Sequence, residues 1–345
     1  MRYQLGLMAA VPVVAVLLLE AGLSHFTGLG DPPLFQADAK VGYLMAPNQE
    51  VYRLGNRIAI NGFHQRSEEI SVQPAPGIER ILFLGDSITF GIAALDQTQT
   101  FPERVASLLR ESGRPSESIN ASAVSWGLGN ERAYVECFGT FGSQIAILQV
   151  GSADLLQPAS TGEKVGVSPA HPDRKPASAI TEAMQRVALP RLTSMLGLVT
   201  DSTDEPVTRE VRKAQFARNM THFARLVALV QEQGTTPIVL LVPGLPELTT
   251  ENRLTRYSPY RERFRTLVEE LSIPLIDLSE EWEGNSDIQG YYVDGTHLTA
   301  EGNLVVAARI FQALDNLRGN ARVKTVHAAN AKVQPISAAA DRECG

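Results

Sequence analysis

Two short segments of this chain hold residue types that together can do nucleophilic chemistry: Gly85-Asp86-Ser87 and, far downstream, Asp294-Gly295-Thr296-His297. A serine hydroxyl is a weak nucleophile until a base takes its proton. Histidine is the side chain whose pKa suits that work near neutral pH. The histidine in turn needs an acceptor on its second ring nitrogen, to fix its tautomer and to stabilise the imidazolium. Asp294, three positions before His297 in a glycine-containing turn, can curl back to supply one. Each segment also has a plain structural reading. A lone G-D-S is more often a turn with a helix N-cap, and a lone D-x-x-H is usually structural. The pair means more than either part, provided that the fold brings both to one place.

The surrounding elements are expected to do so. Short apolar runs at 80–84, 119–124, 145–150, 237–242 and 273–278 read as buried strands. Helical patterns lie at 100–111, 131–138, 210–233, 260–271 and 300–317. The clearest is 210–233, where Phe216, Met220, Phe223, Val227 and Val230 build one apolar face and Gly234 closes the helix. Thr299 is the expected N-cap of the last helix. Strands alternating with amphipathic helices predict one doubly wound α/β domain, a five-stranded parallel sheet covered on both faces. Loops after the carboxyl ends of such strands open onto a common crevice. Ser87 follows the first strand and His297 the fifth, so the two can meet there. Unpaired backbone N–H groups at the serine turn point into the same space and can hold an oxyanion.

These blocks resemble the SGNH, or GDSL, hydrolases, a family of flavodoxin-like esterases with a three-layer sandwich. Gly85-Asp86-Ser87-Ile88-Thr89, continued by Phe90-Gly91, is similar to the family's first block, whose serine is the nucleophile. Asp294 to Thr299, followed by Ala300-Glu301-Gly302, is similar to its last. The resemblance spans 80–317 and implies ester cleavage by Ser87, His297 and Asp294, with no metal and no organic cofactor. The middle blocks depart from the pattern. Asn120-Ala121-Ser122-Ala123-Val124-Ser125-Trp126-Gly127 places Ser125 where the family has a glycine whose N–H serves the oxyanion. Ser125 keeps that role if its backbone does not need glycine; if the site demands positive φ, Gly127 is the better candidate. Gly151-Ser152-Ala153-Asp154 has alanine in place of an asparagine whose amide is a further donor. Losing one such donor typically costs ~10²–10³ in rate. Ser152 and Gln149 are the nearest substitutes in sequence. Three readings stay open: an esterase, an O-acyltransferase acting on a polysaccharide, and a catalytically impaired envelope scaffold.

The net charge is −7, with acids and bases interspersed and no basic stripe, which excludes nucleic acid as a partner. Two cysteines and no Cys/His cluster of zinc-site spacing exclude a disulfide framework and a structural metal. Residues 5–19 form an apolar run behind Arg2. Segment 1–26 therefore reads as a transmembrane anchor, if the run extends to Leu23 with Glu20 near the interface, or as a cleaved signal. Either way the catalytic domain is expected on the exported side, acting on an acylated small molecule, lipid or polysaccharide. Residues 27–79 read as an irregular lead-in and 80–318 as the hydrolase domain. Within it, 155–208 is an insertion, either a lid or a surface excursion; 319–345 reads as a disordered tail. His64, His171 and His222 lack partners at informative spacing and read as surface or satisfied polar residues. Trp126, Tyr291 and Tyr292 read as pocket walls or core.

Overall fold

A computed structural model of the chain describes residues 2–195, 208–249 and 257–325. From the N-terminus run α1 (Arg2–Thr27) and two antiparallel hairpins, β1 (Phe35–Asp38) with β2 (Gly42–Met45) and β3 (Gln49–Arg53) with β4 (Asn56–Ile60). Next come β5 (Glu79–Gly85), α2 (Ser87–Phe90), α3 (Phe101–Glu111), β6 (Ser116–Ser122), α4 (Leu128–Phe138) and β7 (Ile145–Gly151). The insertion carries α5 (Ala179–Ala183) and α6 (Leu189–Met195). The alternation resumes with α7 (Arg209–Glu232), β8 (Thr236–Val242), α8 (Leu245–Thr249), α9 (Ser258–Glu270), β9 (Leu275–Asp277), α10 (Leu278–Glu281) and α11 (Ala300–Thr325).

The five-stranded sheet is parallel throughout, in the order β6-β5-β7-β8-β9. Successive side chains of each strand enter opposite cores. Leu82, Leu84, Leu148 and Val239 pack with Tyr134, Phe223 and Phe264 from α4, α7 and α9. Ile81, Phe83, Ile147 and Leu240 pack with Phe101, Val105, Val306 and Ile310 from α3 and α11. Burial on both faces is why these strands read as continuous apolar runs. β6 starts at Ser116, ahead of its apolar run, because an edge strand can begin with polar residues. Ser118 there donates to Glu103 at 2.9 Å, and Arg80 Nε donates to Glu117 at 2.9 Å.

Three expectations need correction. The lead-in is not irregular: it is two hairpins that bury Tyr43, Leu44, Met45, Val51, Ile58 and Ile60 in the first core. Strands of four or five residues are too short to stand out as periodic patterns, and the turn at Leu54-Gly55 takes positive φ at both residues (53° and 82°). The tail is helical as far as Thr325, while 326–345 lies outside the described residues. Among the described residues no helix is long and apolar enough to cross a membrane. Glu20, expected near an interface, is instead a docking residue. Its carboxylate accepts from the N–H groups of Ala179 (2.6 Å) and Ile180 (2.9 Å), the unpaired donors at the N-terminus of α5.

The helix expected near 180–198 is present but interrupted by a π turn at 184–188, and 196–207 lies outside the described residues. Buried Glu182 ties this insertion to the lead-in. It accepts from Arg53 Nη2 at 2.6 Å, Gly30 N at 2.6 Å and Arg186 Nη1 at 2.9 Å. Arg53 is only 8% exposed, so Glu182→Ala leaves an almost buried guanidinium without a carboxylate. The expected loss is about 3 kcal/mol, read as a lower denaturant midpoint. An unchanged midpoint would show that this pair does not hold the insertion in place.

Candidate active site

Ser87 is the first residue of α2, directly after β5. Asp86 is the N-cap; its Oδ1 accepts from Ile88 N at 2.8 Å. The turn tolerates only glycine before it. A Cβ at Gly85 would lie 2.3 Å from Thr89 Oγ1 and 2.5 Å from Gln149 Oε1. On the other side of the crevice, the loop before α11 closes on itself. Val293 N donates to His297 O at 2.8 Å, and Tyr292 bridges to Leu298. Asp294 Oδ1 accepts from Thr296 N (2.7 Å) and His297 N (2.8 Å), which fixes the carboxylate beneath the ring.

The fold brings the three residues together. His297 Nδ1 lies 2.8 Å from Asp294 Oδ2, and His297 Nε2 lies 2.9 Å from Ser87 Oγ. An ionised carboxylate only accepts, so the ring proton sits on Nδ1 and Nε2 is left to accept from the serine. Burial raises the Asp294 pKa, but the hydrogen bonds from His297 and Thr296 outweigh it and hold the carboxyl below its usual range. Asp294 therefore stays charged when the histidine takes a proton.

The two oxyanion candidates separate. Ser125 has φ 62°, so the serine itself adopts the left-handed conformation, at a cost on the order of 1 kcal/mol. Its N–H and that of Ser87 enter no hydrogen bond among the described residues. Gly127 takes an extended φ of −121° and its N–H donates to Asn130 Oδ1 at 3.0 Å. Gly127 is therefore corrected: its donor is spent on capping α4. The two nearest substitutes differ: Ser152 is engaged elsewhere, while the Gln149 Nε2 donor has no partner among the described residues. Ser152 Oγ donates to Glu247 at 3.0 Å. Gln149 is fully buried, its Oε1 accepting from Thr89 Oγ1 (2.9 Å) and Asp86 N (3.3 Å). Ala153 itself is exposed.

Sequence reasoning missed a buried acidic group beneath the nucleophile. Burial pushes Asp86 up to about 6, against the opposing pull of the Ile88 N–H and the nearby His297. Burial also raises Glu131 and Asp154 well above the carboxylate range, and the charge of Asp86 adds to both. Glu131 Oε1, Glu131 Oε2 and Asp154 Oδ1 have no hydrogen-bond partner among the described residues, which fits neutral acids rather than charged ones. Also missed was Arg66, fully buried, whose guanidinium donates to the carbonyls of Phe90 (2.8 Å), Gly91 (2.7 Å) and Leu95 (2.7 Å). It braces the segment after α2 from within the lead-in, where no pattern in the sequence marked it.

The remaining histidines divide. His64 Nδ1 lies 2.7 Å from Met45 O, and His222 Nδ1 accepts from Arg132 Nε at 3.2 Å. His171 is neither exposed nor satisfied. It packs between Phe35 and Tyr43, with both ring nitrogens outside any hydrogen bond among the described residues. Trp126 and Tyr292 belong to the core. A cavity of about 480 Å³ lies against the insertion, lined in part by Pro32, Pro172, Arg174 and Arg186, and includes none of the three crevice residues.

The family described as GDSL-like Lipase/Acylhydrolase matches residues 83–305. No curated protein matches the chain. Among solved structures, "Crystal Structure of TesA" is 15% identical with a TM-score of 0.45, covering 69% of this chain and 99% of that one. The psychrotrophic esterase EstA from Pseudoalteromonas sp. is 14% identical with a TM-score of 0.40, covering 70% and 99%. A catalytic mutant of Axe2, an acetylxylan esterase from Geobacillus stearothermophilus, is 14% identical with a TM-score of 0.42, covering 68% and 93%.

The raised pKa of Asp86 has a signed consequence. Its contribution to stability is fully present below the ordinary value of 3.8 and is lost as pH rises through about 6. Asp86→Asn keeps the cap and removes the titration. Relative to wild type, the variant should therefore gain stability between pH 4 and pH 7, on the order of 2 kcal/mol, in parallel denaturation curves. A difference between the two proteins that does not change with pH would refute the assignment.

Proposed function

Because the chain belongs to the GDSL-like lipase/acylhydrolase family, we propose that it is a serine esterase that removes O-acyl groups from a cell-envelope substrate. The observation that carries this reading is the hydrogen-bonded chain from Ser87 through His297 to Asp294. Ser87 Oγ attacks the ester carbonyl while its proton passes to His297 Nε2. The tetrahedral oxyanion rests on the N–H groups of Ser87 and Ser125. His297 then gives the proton to the departing alcohol, leaving an acyl group on Ser87. Water, deprotonated by the same nitrogen, attacks the acyl-enzyme; the acid leaves and Ser87 regains its proton. Asp294 holds the tautomer and the imidazolium throughout.

An exported position belongs to the same proposal. It is supported by Arg2 ahead of the apolar segment and by the exposed Val13, Val16, Leu17 and Leu18 on α1.

A membrane-impermeant fluorophosphonate is expected to label the wild-type protein on intact cells. Ser87→Ala should abolish that labelling and lower p-nitrophenyl acetate turnover by roughly 10⁴-fold or more. Equal turnover by the two proteins would sink the esterase reading, and labelling only after lysis would sink the exported position. Ala153→Asn restores the amide that the family's third block carries. The expected result is a kcat increase of about 10²-fold with little change in KM. If kcat does not rise, position 153 does not face the developing oxyanion.

A further inference from the structure

Tyr43 lies on β2, outside the α/β domain, and is fully buried. Its hydroxyl donates to the carbonyl oxygen of Val124. That carbonyl and the Ser125 N–H are the two ends of one peptide unit. In a trans peptide they point in opposite directions. Fixing the oxygen from behind therefore fixes where the N–H points in front. Amide resonance adds a second effect: a hydrogen bond accepted at the oxygen draws electron density from nitrogen and makes the N–H a stronger donor.

The geometry points to Tyr43 as a positioning residue that aims and strengthens the Ser125 N–H as an oxyanion donor. This inference rests on the acyl-transfer reading of the crevice above. Three observations around the phenol support it. Trp126 Nε1 donates back to Tyr43 O at 2.9 Å, locking β2 onto the loop. The rings of Phe35 and His171 pack against the Tyr43 ring at 5.8 Å and 5.1 Å between centroids. The next peptide is held as firmly: Ser125 O accepts from Gln157 Nε2 at 2.9 Å and from Ser160 Oγ at 2.6 Å. With carbonyls 124 and 125 both pinned, a serine is kept at φ 62° where glycine would be the easier choice. A hole without a side-chain amide at position 153 relies more heavily on each backbone donor. The lead-in and the first residues of the insertion supply the rigidity that donor needs.

The test compares Tyr43→Phe with Tyr134→Phe. Tyr134 is also fully buried, but its hydroxyl donates to Phe63 O at 2.8 Å, away from the oxyanion peptide. Steady-state turnover of p-nitrophenyl acetate is measured together with affinity for a trifluoromethyl ketone. Ser87 adds to that carbonyl, giving a hemiketal oxyanion while its proton goes to His297. Tyr43→Phe should lower kcat about tenfold, leave KM within about twofold, and weaken the ketone by the same factor as kcat. Tyr134→Phe should keep wild-type kcat and ketone affinity. If the two variants behave alike once corrected for folded fraction, Tyr43 is merely structural and the inference is overturned. Should Tyr43→Phe not fold, a single 3-fluorotyrosine at position 43 keeps the shape and strengthens the donor. A raised kcat then supports the inference, and an unchanged kcat overturns it. A wild-type protein that forms no adduct on Ser87 instead brings down the acyl-transfer reading, and this inference with it.

Discussion

The contact between His297 Nε2 and Ser87 Oγ, 2.9 Å long, is the constraint to which the rest of the molecule answers. The two residues follow β9 and β5, which are separated in the sheet by β7 and β8. At normal strand spacing those positions are roughly 14 Å apart. The loop before α11 must therefore reach back across the sheet. It does so by leaning on the loop after β8: Tyr292 Oη donates to Pro243 O at 2.6 Å, and Leu245 N donates to Gly295 O at 2.9 Å. These bonds help to hold the Asp294–His297 turn over Ser87.

Placing a polar crevice on a buried sheet edge has costs, and they sit directly beneath it. Asp86, Glu131 and Asp154 are three acids in the interior, where charge is disfavoured. Ser125 stores backbone strain at the crevice wall. The surroundings brace the segment around the nucleophile. Gln149 gathers the Thr89 hydroxyl and the Asp86 N–H on one oxygen, and Arg66 gathers three carbonyls after α2 on one guanidinium. The segments outside the α/β alternation thus do more than connect. The hairpins and the residues at 157–160 hold the 124–127 loop from two sides.

The motif order and the strand-and-helix alternation were legible in the chain because both are local. A buried strand reads as an apolar run, an amphipathic helix as a 3.6-residue period, and Gly85 as the residue that ends the first strand. Those signals were enough to place five strands in one parallel sheet and to put Ser87 and His297 at the same edge. Short hairpins gave no such signal, and the lead-in passed for irregular chain.

What only the tertiary structure decided concerns single donors and acceptors whose partners lie far away in sequence. Position 125 does take the positive φ that was expected to favour Gly127, yet Asn130 takes the Gly127 N–H and leaves that of Ser125 free among the described residues. Glu20 passed for an interfacial residue until it met the N-terminus of α5. His171 passed for a surface or satisfied polar residue until Phe35 and Tyr43 enclosed it. A residue's type and its neighbours fix which bonds it can make. Which of them it does make depends on what the fold places within about 3 Å. The sequence by itself therefore determined the fold class and the three residues that meet at the crevice. The tertiary structure decided which backbone donors remain free to face it.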